Sequence, residues 1–250
     1  MIIKNPIQKD IPALRTLWTE AVGDADAFLD TFFSTGFSCD RCRLLTVKGQ
    51  LAAALYWFDC TWNDKKVAYL YAVATAKAFQ KQGLCRALME GTHKHLQDLD
   101  YVGAALVPGN DGLFSLYGKI GYQSFCPMTM HTIAPGKEDI PLTVIGWEDY
   151  ETLRRQCLPE NALLQEGKTL EFLSTFAQFY RGDNCLLCGY EERGIFYICE
   201  YFGNPESLPA IATAFGAAID VRLPGGNHSA MYFPLDSSAD LPAYLGLTLN

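Results

Sequence analysis

The sequence has no uninterrupted apolar run approaching the ~18 residues that a membrane-spanning helix needs. No membrane partner is expected. Its opening, MIIKNPIQKD, has no basic stretch followed by an apolar one, so no signal peptide is expected either. An excess of positive charge is also missing. Lys and Arg number 20 against 28 Asp and Glu, a formal net charge of −8. A chain of that sign repels phosphate backbones, which argues against a nucleic-acid partner. It suits a cationic amine, although solubility alone accounts for acidic charge equally well. Low-complexity tracts and exact repeats are absent, as are a Walker loop and a G-x-G-x-x-G fingerprint.

What is present is an ordinary globular balance. Hydrophobic residues make up 49% and charged residues 19% of 250 positions, enough for one large domain or two small ones. The nine cysteines are odd in number and scattered. Without an export signal they read as reduced thiols, and a cytoplasmic location is expected.

The chain opens with a strand over residues 1–5. A helix follows, with Asp10 as N-cap, Pro12 in the first turn and Leu14, Leu17, Trp18 and Ala21 at helical spacing. A second helix is expected over 25–33. Strands are expected at 43–47, 51–60 and 67–75, the last buried on both faces. A polar loop then leads to a helix starting near Gly83. A strand at 102–106, a short helix at 113–119 and a strand at 122–133 complete the first half. The segment 134–139 (APGKED) marks a boundary, giving domains 1–134 and 135–250. The second half reads as two helices, strands at 185–190 and 194–201, a helix at 207–215, and strands at 218–223 and 229–233. Its coarse order echoes the first half.

The stretch that carries chemistry is LYAVATAKAFQKQGLCRALME, a buried strand, a polar loop and a helix. Helix N-termini leave amides unpaired and carry partial positive charge. A glycine at the turn lets a phosphate approach them. Lys81 and Arg86 add cationic character there.

These residues resemble the signature of the GCN5-related N-acetyltransferase (GNAT) family, Q/R-x-x-G-x-G/A. Gln80 and Gly83 match its first two fixed positions, and Cys85 stands where the family has Gly or Ala. A second match follows in NDGLFSLYGKIGY, where Asn110, Tyr117 and the Gly121-Tyr122 pair fall at the family's spacing. Together the matches cover roughly residues 1–130. The resemblance implies a mixed α/β GNAT fold, and the echoing order of the second half suggests a smaller, degenerate GNAT-like domain there, which lacks the signature loop. It implies acetyl-CoA as co-substrate, no metal, and transfer to a primary amine of a small molecule or peptide by direct attack. Backbone groups of Val73 and Thr75 would pair with the pantetheine arm. Gln80, Lys81, Gln82, Gly83, Leu84, Cys85 and Arg86 would hold the pyrophosphate, and Asn110 would touch the pantetheine or fix its loop. Tyr117 would serve the leaving thiolate as acid. The general base is left open. The strand 67–75 offers Tyr69 and Tyr71 but no carboxylate, and Asp59 is one alternative. That gap supports a second reading, a non-catalytic acyl-CoA-binding or sensing protein. A third is an interaction protein that has lost the cofactor.

Other features read as structural. Cys39/Cys42 and Cys185/Cys188 are C-x-x-C pairs, but strand residues three apart point to opposite faces, a poor metal geometry. His93 and His95 read as solvated helix residues, and His228 as part of a glycine-rich loop. Tyr56, Trp57, Phe58 and Trp62 read as core, with Tyr56 and Phe58 on one face and Trp57 on the other. Aromatics such as Phe196, Tyr197, Tyr201 and Phe202 leave a homodimer open.

Overall fold

The computed structural model describes residues 1–236 and 240–248, with the side chains of Asn227 and His228 outside that description. The chain divides into two compact units. The first comprises Met1–Leu106, Asn110–Gln123 and Tyr232–Leu241. The second comprises Val107–Gly109, Ser124–Met231 and Pro242–Asn250. No helix among the described residues is long and apolar enough to cross a membrane.

In the first unit, β1 (Ile2–Lys4) pairs antiparallel with β2 (Cys42–Val47), β2 with β3 (Gln50–Trp62), and β3 with β4 (Lys65–Thr75). Helix α1 (Ile11–Ala21) precedes them and buries Leu14, Leu17 and Trp18, one apolar stripe at helical spacing. Asp10 occupies its cap position, but its side chain accepts from none of the helix amides. The Asp10 carboxylate instead accepts from the Ile7 amide at 3.0 Å and pairs with Lys4. The expected second helix is shorter, α2 (Asp26–Thr31), and opens into a wider turn closed by Phe37 N to Phe32 O at 2.8 Å. That turn sets Phe32 and Phe33 against Trp18. Alternation along β3 holds as expected. Tyr56 and Phe58 meet Phe32, while Trp57 faces Tyr101. Asn63 and Asp64, both at positive φ, make the tight β3–β4 turn.

Helix α3 (Leu84–Asp98) then crosses to β5 (Tyr101–Leu106), which runs parallel to β4, and α4 (Asp111–Gly118) follows. The chain returns to this unit at Tyr232. The Leu235 amide bonds the Val102 carbonyl at 2.8 Å, and the Tyr232 ring occupies the space a Cβ at Gly103 would need.

The second unit contains β6 (Gln123–Ile133) from Ser124 on, β7 (Thr143–Ile145), α5 (Trp147–Cys157), β8 (Leu164–Gln165), α6 (Lys168–Leu173), β9 (Gln178–Arg181), β10 (Leu186–Glu192), β11 (Ile195–Phe202), α7 (Leu208–Phe215) and β12 (Ile219–Pro234) as far as Met231. Strands β7, β9, β10 and β11 pair antiparallel in that order, and β11 pairs parallel with β12 across α7. This repeats the pattern β1, β2, β3, β4, then β5 across α3. The two strands expected at 218–223 and 229–233 are one strand. β6 pairs with β12 and carries it through the glycines, with Thr129 Oγ1 donating to the Gly225 carbonyl at 2.9 Å. The backbone of His228 therefore lies in β12 rather than a loop, and its side chain lies outside the described residues.

Candidate active site

β4 is not regular. Tyr56 faces Tyr71 and Ala54 faces Ala74, so Ala72 and Val73 oppose Leu55 alone. Ala72 takes φ +47. This two-against-one count is a β-bulge, which bends a strand and re-aims its groups. The parallel register with β5 ends at Tyr69↔Ala105, and β4 runs on to Thr75. The expectation that this strand is buried on both faces therefore fails at its end. Val67 to Leu70 are buried, whereas Tyr71, Val73 and Thr75 are half-buried. Val73 and Thr75 lie on β4 beyond its last pair with β5.

A short turn leads from Thr75 to α3. Gln80 reaches back, its Nε2 donating to the Thr75 carbonyl at 3.2 Å, and Gln82 Nε2 donates to the Ala78 carbonyl at 3.2 Å. The Lys77 amide donates to Glu20 Oε1 on α1 at 2.6 Å, a brace that no sequence signal announces. Lys81 and Gly83 both take left-handed backbone, φ +60 and +77. Such turns line up successive amides into an anion-accepting concavity. Gly83 caps α3, whose first backbone bond is Ala87 N to Gly83 O. No side chain caps the helix, and its first turn holds no acidic residue. The amides of Leu84, Cys85 and Arg86 thus have no helical acceptor. A Cβ built on Gly83 meets nothing within 4 Å, so the turn is open to a phosphate group. These features fit the diphosphate of a coenzyme A ester. The Arg86 guanidinium is already engaged, with Lys119 O at 2.8 Å, and ties α3 to the end of α4.

Asn110 caps α4, its Oδ1 accepting from the Leu113 amide at 3.2 Å, so its side chain fixes its own helix. Tyr117 on α4 is 5% exposed, and among the described residues its hydroxyl has no hydrogen-bond partner. Burial holds its pKa above the usual range, and the nearby Cys85 thiol adds to the shift. Cys85 is itself raised by burial and stays a neutral thiol. Two residues taken from separate motifs are thereby brought together.

Asp59 is not poised as a base. It accepts from the Tyr101 hydroxyl at 2.5 Å and from Arg41 Nε at 2.7 Å. Its place opposite Ala68 is away from the bulge. His93 is not a solvated helix residue. It is 6% exposed, its Nε2 lies 2.8 Å from the Tyr122 hydroxyl, and its ring stacks on Phe233 at 4.2 Å. Desolvation lowers its pKa to about 4. Tyr122 itself packs on Tyr117 at 5.7 Å, so the pair supports the floor beneath that residue. Tyr56, Trp57, Phe58 and Trp62 are core, each buried. All nine cysteines are free, and no cluster of metal-ligating side chains occurs among the described residues.

No curated protein matches the sequence. Solved structures share its fold. A GCN5-related N-acetyltransferase from Anabaena variabilis aligns at a TM-score of 0.72 and 15% identity, over 94% of this chain and 73% of that one. One from Kribbella flavida gives 0.68 at 12% identity, over 92% and 70%. One from Sphaerobacter thermophilus gives 0.56 at 12% identity, over 97% and 98%. Likeness at such identities speaks for the fold alone. A family model adds the sequence-level match, to the acetyltransferase (GNAT) domain over residues 3–125. The bulged β4, the glycine turn, the start of α3 and Tyr117 all fall inside that stretch, which makes residues 3–125 a domain of the GCN5-related N-acetyltransferase family.

Proposed function

We propose that this acyltransferase moves an acetyl group from acetyl-CoA to a primary amine of a small molecule or peptide, with its catalytic groups within residues 1–134 and a diverged lobe in 135–250. One observation carries the reading: a bulged strand that runs on past its last pair with β5 leads into a left-handed glycine turn with open amides. The amides from Lys81 to Arg86 hold the diphosphate, and backbone groups of Val73 and Thr75 pair with the pantetheine arm. Asn110 acts indirectly, by fixing the start of α4.

In the reaction a neutral amine attacks the thioester carbonyl carbon. A C–N bond forms, the C–S bond breaks, and the sulfur leaves as thiolate. The attacking nitrogen loses its proton to solvent water, since Asp59 is engaged elsewhere. Tyr117 meets the thiolate. An ordinary thiol titrates near about 8.5 and a tyrosine near about 10, and burial raises Tyr117 further. Full proton transfer from Tyr117 is therefore uphill. Its role is to donate a hydrogen bond to the charge that develops on sulfur, the electrostatic form of catalysis. The nine free thiols suit a reducing compartment such as the cytoplasm.

The test is calorimetry of acetyl-CoA with the native chain and with Gly83→Glu, which sets a carboxylate in the diphosphate site. Binding lost in a folded variant supports the site. Thiol release across an amine panel then reads turnover. A folded native chain that binds no acetyl-CoA overturns the reading.

A further inference from the structure

The second unit has its own fork. Parallel pairing of β11 with β12 runs from Phe196↔Ile219 to Ile198↔Val221 and ends there. Just past the last pair lie Cys199 and Arg222, and a cavity of about 260 Å³ opens beside them. Ile198 and Val221 point into the core beneath α7. Their strand neighbours Tyr197 and Arg222 point the other way, into the cavity. We propose that this fork binds a small ring compound carrying one carboxylate.

Charge points to the anion. Arg222 is the sole charged residue lining the cavity among the described residues. Its side chain is half-buried and donates to the Thr248 hydroxyl, with no carboxylate paired to it among the described residues. An arginine stays ionised at every accessible pH, and its fork of donors matches a carboxylate in two parallel bonds. One positive charge balances a carboxylate better than a phosphate dianion. Shape points to the ring. Tyr190 and Tyr197 lie nearly parallel at 5.8 Å and 23°, and Met130 adds a polarisable wall. Flat apolar groups pack well on such surfaces.

Size excludes a coenzyme. The cavity falls just under the ~300–1,000 Å³ of ordinary ligand pockets, so its occupant is small. The helix that follows β11 offers no phosphate cradle. Pro209, lacking an N–H, sits in the first turn of α7, and Glu206 precedes it where a phosphate would need a cation or an amide. The second unit thus keeps the parted strands of the first without its anion turn.

The experiment uses the full chain and benzoate as probe, followed by calorimetry and ligand-observed NMR. The comparisons are benzamide, which has the same ring without the charge, and inorganic phosphate. Saturable one-to-one benzoate binding is expected, with benzamide at least tenfold weaker and phosphate weaker than benzoate. Arg222→Gln is expected to weaken benzoate at least tenfold while acetyl-CoA binding is unchanged. No benzoate binding, equal binding of benzamide, tighter binding of phosphate, or full affinity in Arg222→Gln overturns the proposal. Should the variant fail to fold by circular dichroism, the benzoate-to-benzamide ratio on the native chain decides.

Discussion

The Gln80 side chain donates a hydrogen bond to the Thr75 carbonyl oxygen across 3.2 Å, and so ties the turn before α3 to the end of β4. Two residues of the cofactor reading are thereby held in one geometry. Gln80 itself is exposed, so its worth lies in positioning rather than packing.

Gln80→Leu should therefore leave stability unchanged and loosen the turn. The expected result is a rise in KM for acetyl-CoA of about threefold to tenfold, in line with about 1 kcal/mol for a lost hydrogen bond. Steady-state kinetics with varied acetyl-CoA reads it. A change confined to kcat would place Gln80 elsewhere in the mechanism.

Tyr117→Phe removes only the hydroxyl, which has no hydrogen-bond partner among the described residues, so folding should be unaffected. If the hydroxyl meets the leaving sulfur, kcat should fall by about 10²-fold to 10³-fold with KM nearly constant, the usual loss of one preorganised donor. A thioester whose thiol has a lower pKa should lose less, because its sulfur needs less help. Equal losses for both thioesters would remove the leaving-group role.

Much of this site was legible in the sequence. Gln80, Gly83, Asn110 and Tyr117 are marked by the resemblance to the family's two motifs, and the existence of strands and helices in the first half follows from periodicity. The bulge was not legible. Ala72 at φ +47 is a small apolar residue in an apolar strand, and only pairing with β3 reveals the extra residue. The short strands β7 and β9 were also missed, since a few half-exposed residues carry little alternation. His93 and the single strand β12 were misread for one reason: tertiary packing against Phe233 and pairing with β6 overrode local composition.

His93 sets a pH dependence. Its folded pKa is lowered to about 4, against about 6.5 for a free imidazole. The unfolded chain therefore takes up the proton first as pH falls. Stability from the neutral ring is fully present above pH 6.5 and is lost progressively toward pH 4, by about 3 kcal/mol. Urea unfolding of the native chain should show that slope, and His93→Gln, though less stable at pH 7, should show it reduced. An unchanged slope in the variant would assign the dependence to other groups.

The second unit hangs on a buried charge. Glu200 and Arg154 have side chains of 0% exposure, and Glu200 accepts from Arg154 Nε at 2.6 Å, Arg154 Nη2 at 2.9 Å and the Tyr150 hydroxyl at 2.8 Å. Tyr244 donates to the same carboxylate, and Gly246 is needed there because a Cβ would sit 1.8 Å from Glu200 Oε1. Breaking one partner strands the other, at about 3–5 kcal/mol. Glu200→Gln should cost that much, since the amide oxygen can replace only one of the two carboxylate oxygens that accept from Tyr150 and Tyr244. Adding Arg154→Met removes the stranded cation and should recover part of the loss. A double variant as unstable as the sum of the single ones would show that the two groups act independently, which the shared bonds argue against.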